Sequence, residues 1–208
     1  MSALTHLNDL ADREGTLVVY PDGLRKSWAD GRGVTDADQQ GVDDVAFFRQ
    51  LITTLQDQYS IDTHRVYVAG ISNGGFMTQR LACELADRIA AVVSVAATLS
   101  TNLAATCAPS RPLPILYVLG ENDPLVPYTG GVVNGSRGTV LSAADSLAAW
   151  AKFNDCAGSP TTRTLPDRVQ DDTHVSQTLY TNCQGGAQVG LYSVAGGGHT
   201  WPSGLQYL

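Results

Sequence analysis

Arg65-Val66-Tyr67-Val68-Ala69-Gly70-Ile71-Ser72-Asn73-Gly74-Gly75 decides the fold. Its first half is a short β-branched and aromatic run, the composition of a buried strand. Gly70-Ile71-Ser72-Asn73-Gly74 then fits G-x-S-x-G, and a helical pattern follows with Met77, Leu81 and Leu85 on one face. A strand running straight into a serine, with a helix running straight out, is the setting of a sharp turn that lifts a hydroxyl beyond the C-terminal edge of a sheet. So tight a turn needs small residues two before and two after the serine, which Gly70 and Gly74 provide, and Gly75 helps the helix approach the sheet. The competing reading of the same residues is an ordinary Gly-rich helix start.

Outward from this turn, strand and helix patterns alternate, which predicts an α/β domain with a mostly parallel sheet flanked by helices. Residues 5–13 read as a helix with Leu7, Leu10 and Ala11 on one side, ended by Gly15. Leu17-Val18-Val19-Tyr20 reads as a short buried strand stopped by Pro21-Asp22-Gly23. Residues 24–40 are polar and Gly-rich and read as a long loop. Asp43 is placed to cap a helix whose stripe is Phe48, Leu51, Ile52, Leu55 and Tyr59. Residues 90–96 and 115–119 read as further strands, and Ser142-Ala143-Ala144-Asp145 as a capping box opening a helix through Trp150. Residues 161–165 and 175–181 read as a polar edge hairpin, and residues 189–194 as the last strand, running into Gly196-Gly197-Gly198.

At 208 residues, with no repeat or linker, the chain reads as one domain spanning 1–208. It is 43% hydrophobic and 16% charged, enough to fill a core. Thirteen Lys+Arg against twenty Asp+Glu give a net charge of −7, and no basic cluster exceeds Arg25-Lys26, which argues against nucleic acid as a partner. No apolar run approaches a membrane span, and Met1-Ser2-Ala3-Leu4-Thr5-His6 lacks the basic start and apolar stretch of a signal peptide. Cys83, Cys107, Cys156 and Cys183 include no Cys-x-x-Cys spacing, so no metal site is supported. They allow three disulfide pairings or four buried thiols. Cys83–Cys107 with Cys156–Cys183 would close two short sequential loops, each contributing about 3–4 kcal/mol.

A serine hydroxyl needs a base. His64 precedes the strand leading to Ser72 and belongs to the far end of the sheet, about 20 Å away at strand rise. His174 also precedes a strand and is expected at that same far end, and His6 lies in the first helix. His199 follows the last strand on the catalytic edge and is the candidate base; the plainer alternative is a surface loop histidine. The base in turn needs an acid to hold its tautomer. Glu121 and Asp123, in Gly120-Glu121-Asn122-Asp123-Pro124-Leu125-Val126-Pro127, both follow a strand, and residue geometry prefers Asp123 without excluding Glu121.

The sequence resembles the esterases grouped with polyhydroxybutyrate depolymerases and feruloyl or acetylxylan esterases. The resemblance rests on Leu10-Ala11-Asp12-Arg13-Glu14-Gly15, Tyr20-Pro21-Asp22-Gly23, Asp43-Asp44-Val45-Ala46-Phe47, the Gly70–Gly75 stretch, Gly120 through Tyr128, and Gly198-His199-Thr200-Trp201-Pro202, in that order along nearly the whole chain. It implies an α/β-hydrolase fold, a serine esterase with Ser72 as nucleophile, Asp123 as acid and His199 as base, and no metal or organic cofactor. It favours Asp123 over Glu121, and it implies a secreted or periplasmic, disulfide-bonded protein acting on a small or polymeric ester.

Two departures shape further expectations. The family's strands ahead of the segment matching residues 1–15 have no counterpart here, including the one whose His-Gly loop supplies half of the oxyanion hole. The usual closing helix after His199 is also lacking, so the chain reads as a minimal form, natural or truncated. Residues 17–20 are therefore expected to pair directly with residues 66–70. That pairing would bring a backbone N–H of Gly23 or Leu24 beside that of Asn73 to complete the oxyanion hole. Strand exchange in a homodimer is the rival arrangement. Trp28 in the 24–40 loop and Trp201 beside His199 are candidate substrate contacts; the alternatives are a plain surface loop and a core tryptophan.

Overall fold

The computed structural model describes residues 1–204. In chain order its helices are α1 (Ser2–Thr5), α2 (Leu7–Glu14), α3 (Asp36–Gln39), α4 (Asp44–Gln58), α5 (Asn73–Glu84), α6 (Thr101–Thr106) and α7 (Ala143–Phe153). The strands are β1 (Tyr67–Ile71), β2 (Ala91–Val95), β3 (Ile115–Gly120), β4 (Gly131–Val132), β5 (Thr139–Val140), β6 (Thr161–Thr164), β7 (His174–Tyr180) and β8 (Val189–Ala195). Six strands form one sheet in the order β1-β2-β3-β8-β7-β6, and β4 pairs with β5 in a separate ribbon. β1, β2, β3 and β8 run parallel, while β7 and β6 are antiparallel to their neighbours.

β2, β3 and β8 are apolar runs read from the sequence and are largely buried under helices, whereas β1, at the edge of the sheet, buries only Gly70 and leaves Tyr67 64% exposed. Val92, Ile115, Tyr117, Leu119, Val189 and Leu191 enter one core with Met77, Leu81 and Leu85 of the α5 region and Leu147 and Trp150 of α7. The outer hairpin carries the polar alternation of an exposed edge, and every residue of β6 is exposed. Local caps set the helix starts. The Asp43 side chain accepts from the Ala46 N–H, and Ser142 from the Asp145 N–H. The 24–40 segment is less irregular than its composition suggests. A turn at Leu24–Lys26 and the short helix α3, opened by a Thr35/Asp38 capping box, give it structure. The α6 helix, capped by Ser100, was not anticipated from the sequence.

Three expectations are corrected. The predicted helix over 5–13 divides at His6, whose φ of 52° separates α1 from α2, and only Ala11 of α2 is buried. Residues 17–20 form no strand and do not pair with β1, which is the edge of the sheet among the described residues. Leu17 and Val19 are 49% and 41% exposed. The Tyr20 hydroxyl donates to Asn8 Oδ1 (3.0 Å) instead, so this segment is tied to α2. β-Branched composition favours an extended backbone, but a ladder partner is a tertiary matter. Finally, β7 is antiparallel, so His174 lies opposite Ala195 at the C-terminal edge of β8 and not at the far end. It is exposed there, 3.4 Å from Asp167, on the side of β8 away from β1.

The cysteines form Cys83–Cys107 and Cys156–Cys183, the sequential pairing. The first ties the last turn of α5 to the end of α6, and the second ties the segment after α7 to that after β7. Sequence separations of 24 and 27 residues correspond to about 3–4 kcal/mol of stabilisation each. Reduction is expected to lower the melting temperature by about 10 °C per bridge, measured by thermal denaturation with and without reductant.

Candidate active site

Ser72 joins β1 to α5 with φ 56° and ψ −121°, a conformation L-residues rarely adopt. Neighbours fix it from both sides. Its N–H donates to Val95 O on β2 (2.9 Å), and its carbonyl accepts from the Phe76 N–H (3.0 Å). The glycines around it have unequal jobs. A Cβ on Gly70 would strike the Gly74 carbonyl, and one on Gly75 would lie 2.8 Å from Ala97 Cβ and 2.9 Å from Val95 O. A Cβ on Gly74 would meet nothing within 4 Å. Gly74 therefore matters for its backbone, which crosses over Gly70, and the expectation that its side chain must be small is corrected. Gly70→Ala and Gly75→Ala are expected to destabilise by about 3 kcal/mol, by overpacking against backbone. Gly74→Ala, in the first turn of α5, is expected to match or exceed wild-type stability, since alanine is the better helix former. Urea denaturation of the three variants checks this.

Nothing caps α5. The Ser72 side chain accepts no cap hydrogen bond, and the first turn contains no acidic residue. The N–H groups at the start of a helix point along a positive dipole end. Below the elbow, Gln79 Nε2 donates to Ser94 Oγ (3.1 Å) and Thr98 O (3.1 Å), and Tyr117 donates to Gln79 Oε1 (2.6 Å). This fully enclosed network pins α5 to β2 and β3. Burial pushes the Tyr117 hydroxyl well above its ordinary pKa, with the Trp150 side chain acting in the opposite sense, so it stays a neutral donor.

His199 and Asp123 meet across the loops after β8 and β3. His199 Nδ1 lies 2.8 Å from Asp123 Oδ2, and both side chains are buried, at 7% and 3% exposure. Asp123 Oδ1 accepts from the N–H groups of Leu125 (2.8 Å) and Val126 (2.9 Å). A carboxylate so placed holds the proton on His199 Nδ1 and leaves Nε2 as an acceptor. Glu121 is engaged elsewhere. Ser193 Oγ lies 2.7 Å from Glu121 Oε1 and 2.7 Å from the Tyr128 hydroxyl. The His199 loop crosses the end of β3, where a Cβ on Gly120 would strike the carbonyls of Gly197 and Gly198, and Asn122 donates to Gly197 O (2.9 Å). That crossing carries His199 from β8 toward β1. Ser72, Asp123 and His199 thus all follow C-terminal ends of parallel strands. His64 is fully out in solvent at the opposite end.

Asn73 is bound by the 24–40 segment. Its Oδ1 accepts from the Trp28 N–H (2.8 Å), and its Nδ2 donates to Trp28 O (3.1 Å) and Asp30 Oδ2 (2.6 Å). The Trp28 ring packs on Phe47 and Phe48 of α4 at 6.2 and 5.0 Å between centroids. Trp201 is half-buried and joins neither core cluster. Gly23 precedes the Leu24–Lys26 turn, packed against Ser27 and Trp28. Residues 17–20 do not pair with β1, so the arrangement expected to bring Gly23 and Leu24 beside Asn73 does not form.

Residues 16–137 match the phospholipase/carboxylesterase family, a span that contains Ser72 and Asp123 and ends before His199. The chain belongs to the phospholipase/carboxylesterase family. Within the wider group of similar proteins, this phospholipase/carboxylesterase family member is 36% identical over 195 residues to feruloyl esterase B of Piromyces equi, covering 89% of this chain and 34% of that protein. It is 30% identical over 198 residues to feruloyl esterase D of Neurospora crassa, covering 93% of this chain and 57% of that protein. It thus spans between a third and three fifths of the length of these relatives. Among solved structures, an acetyl xylan esterase from Aspergillus awamori superposes with a TM-score of 0.65 at 15% identity, over 96% of this chain and 78% of that one. That likeness is one of fold, and it agrees with the α/β-hydrolase architecture expected from the sequence. Among the described residues of this family member, no helix is long and apolar enough to cross a membrane.

Proposed function

We propose that this chain is a serine esterase that hydrolyses carboxylic esters, short acyl esters foremost, through an acyl-enzyme. The observation carrying the reading is a strained Ser72 at the same sheet edge as a buried His199–Asp123 pair. His199 Nε2 takes the Ser72 proton as Oγ attacks the ester carbonyl, and Asp123 stabilises the imidazolium. The Asn73 N–H, at the uncapped start of α5, receives the negative oxygen. His199 then protonates the leaving alcohol, and water, activated in the same way, releases the acid and restores Ser72. These steps call for no metal or organic cofactor.

The strand pairing expected to bring the Gly23–Leu24 backbone to the oxyanion does not form, so a second donor from that backbone rests only on Gly23 lying against Trp28, whose main chain is bonded to the Asn73 side chain. Trp28 and Trp201 are assigned to the substrate walls, Trp28 for its place beside Asn73 and Trp201 for following His199 by two residues. The names of the relatives, feruloyl esterase and acetylxylan esterase/xylanase, favour feruloyl esters and acetylated xylan as substrates. Two disulfides favour a secreted or periplasmic location. The unpaired outer edge of β1, with Tyr67 64% exposed, is where a second copy would pair, and size-exclusion chromatography reads it.

One observation favours a different reading, a domain that binds esters without turning them over: residues 17–20 do not join the sheet to bring the second donor into place. Nitrophenyl esters from acetate to octanoate separate the two. Turnover, with a phosphonate probe adding its mass to the Ser72 peptide, supports the esterase. A folded protein without turnover favours the binding domain.

A further inference from the structure

Asp30 is fully buried, and Arg32 is 6% exposed at its side chain. Their contact is forked, with Nε 3.1 and 3.0 Å from the two carboxylate oxygens and Nη2 2.7 Å from Oδ2. An ion pair withdrawn from water adds little to stability compared with apolar side chains of the same volume. This one is nevertheless placed a single residue from the nucleophile, because Asp30 Oδ2 also accepts from Asn73 Nδ2 at 2.6 Å. The Asn73 carboxamide is thereby held at three points, twice by the Trp28 main chain and once by Asp30.

We propose that Asp30, locked by Arg32, is a positioning residue for the oxyanion donor. Its carboxylate fixes the Asn73 side chain, and through it the direction of the Asn73 backbone N–H. The inference rests on the esterase reading above. Arg32 has a second task in this arrangement. A bare carboxylate near a developing oxyanion would oppose it, and the forked guanidinium neutralises that charge. Arg32 also spans loop and helix: its guanidinium carbon lies 4.0 Å from the centre of the Phe76 ring in α5, and Nη1 donates to Arg137 O (3.0 Å).

A simple staple for the 24–40 segment would not need Asn73. That segment has its own anchors: the Ala29 N–H donates to Asp44 Oδ2 (2.7 Å), Arg80 donates to Ala29 O, and Asn102 Nδ2 donates to Arg32 O (3.0 Å). The Asn73 side chain can therefore be removed with the ion pair and the loop both kept.

The test is steady-state hydrolysis of nitrophenyl acetate by wild type, Asn73→Ala, Asp30→Asn and the double variant, with melting temperatures. Misplacement of a reacting group by about 1 Å lowers rates about 10²-fold, so Asn73→Ala is expected to lower kcat by about 10- to 100-fold, with KM within about twofold. Because the two residues act through one chain of contacts, the double variant is expected to fall no further than the worse single variant. The proposal is overturned by wild-type kcat in Asn73→Ala, by a loss confined to KM, by single losses that multiply in the double variant, or by an Asn73→Ala protein that does not fold. An active wild type with an unaffected Asn73→Ala overturns this inference alone. A folded wild type without turnover overturns the esterase reading together with it.

Discussion

Ser72→Ala is expected to lower ester turnover by about 10⁶-fold, leaving only the residual catalysis that the oxyanion donor and binding supply, with the melting temperature unchanged within about 2 °C. The size of the effect follows from the chemistry: without Oγ no acyl-enzyme forms, and His199 and Asp123 have nothing to activate. The unchanged stability follows from the structure. Ser72 is held by its main chain, through Val95 O and the Phe76 N–H, and its Oγ makes no hydrogen bond among the described residues. Alanine also meets the same backbone strain at φ 56° as serine, so the elbow keeps its shape. Initial rates with nitrophenyl acetate and a calorimetric scan measure both halves. Substantial turnover in the alanine variant would remove Ser72 from the mechanism.

Asp123→Asn is expected to lower kcat by about 10⁴-fold with little change in KM. An asparagine there can still accept the Leu125 and Val126 N–H groups through Oδ1, so the turn survives. Its Nδ2 then faces His199 Nδ1, which must become an acceptor. The ring proton moves to Nε2, which can then no longer receive the serine proton. Glu121→Gln is the comparison. Glu121 contacts Ser193 and not His199, and glutamine still accepts from that hydroxyl, so kcat is expected to stay within about threefold. A large loss in Glu121→Gln, with a small one in Asp123→Asn, would exchange the two assignments.

Much of the candidate site was legible because its parts are local. The Ser72 turn is written in the eleven residues from Arg65 to Gly75, strand then glycines then helix, and the structure forms it in place. The acid was not legible from spacing alone, since Glu121 and Asp123 follow the same strand two residues apart; the resemblance chose Asp123, and the structure puts it on His199. Asp30 and Arg32 carried no signal at all, sitting in a Gly-rich stretch that reads as solvent-exposed loop. A Thr35-x-x-Asp38 capping pattern could have warned that this loop is built.

The sequence by itself determined the individual segments: β1, β2, β3 and β8, the caps at Asp43 and Ser142, and the turn at Ser72. Their periods and capping residues act over a few positions, within reach of any one stretch of chain. Only the tertiary structure decided what each segment meets. Residues 17–20 have strand composition yet bind α2 through Tyr20, and His174 lies at the opposite end of the sheet from its expected place because β7 runs antiparallel. Gly74, which the turn was expected to need small, has open space where a Cβ would stand. The Asp30 carboxylate reaches Asn73 across 43 residues of chain. Each of these depends on which long-range contacts together bury the most apolar surface and pair the most polar groups, and no short window of sequence contains that competition.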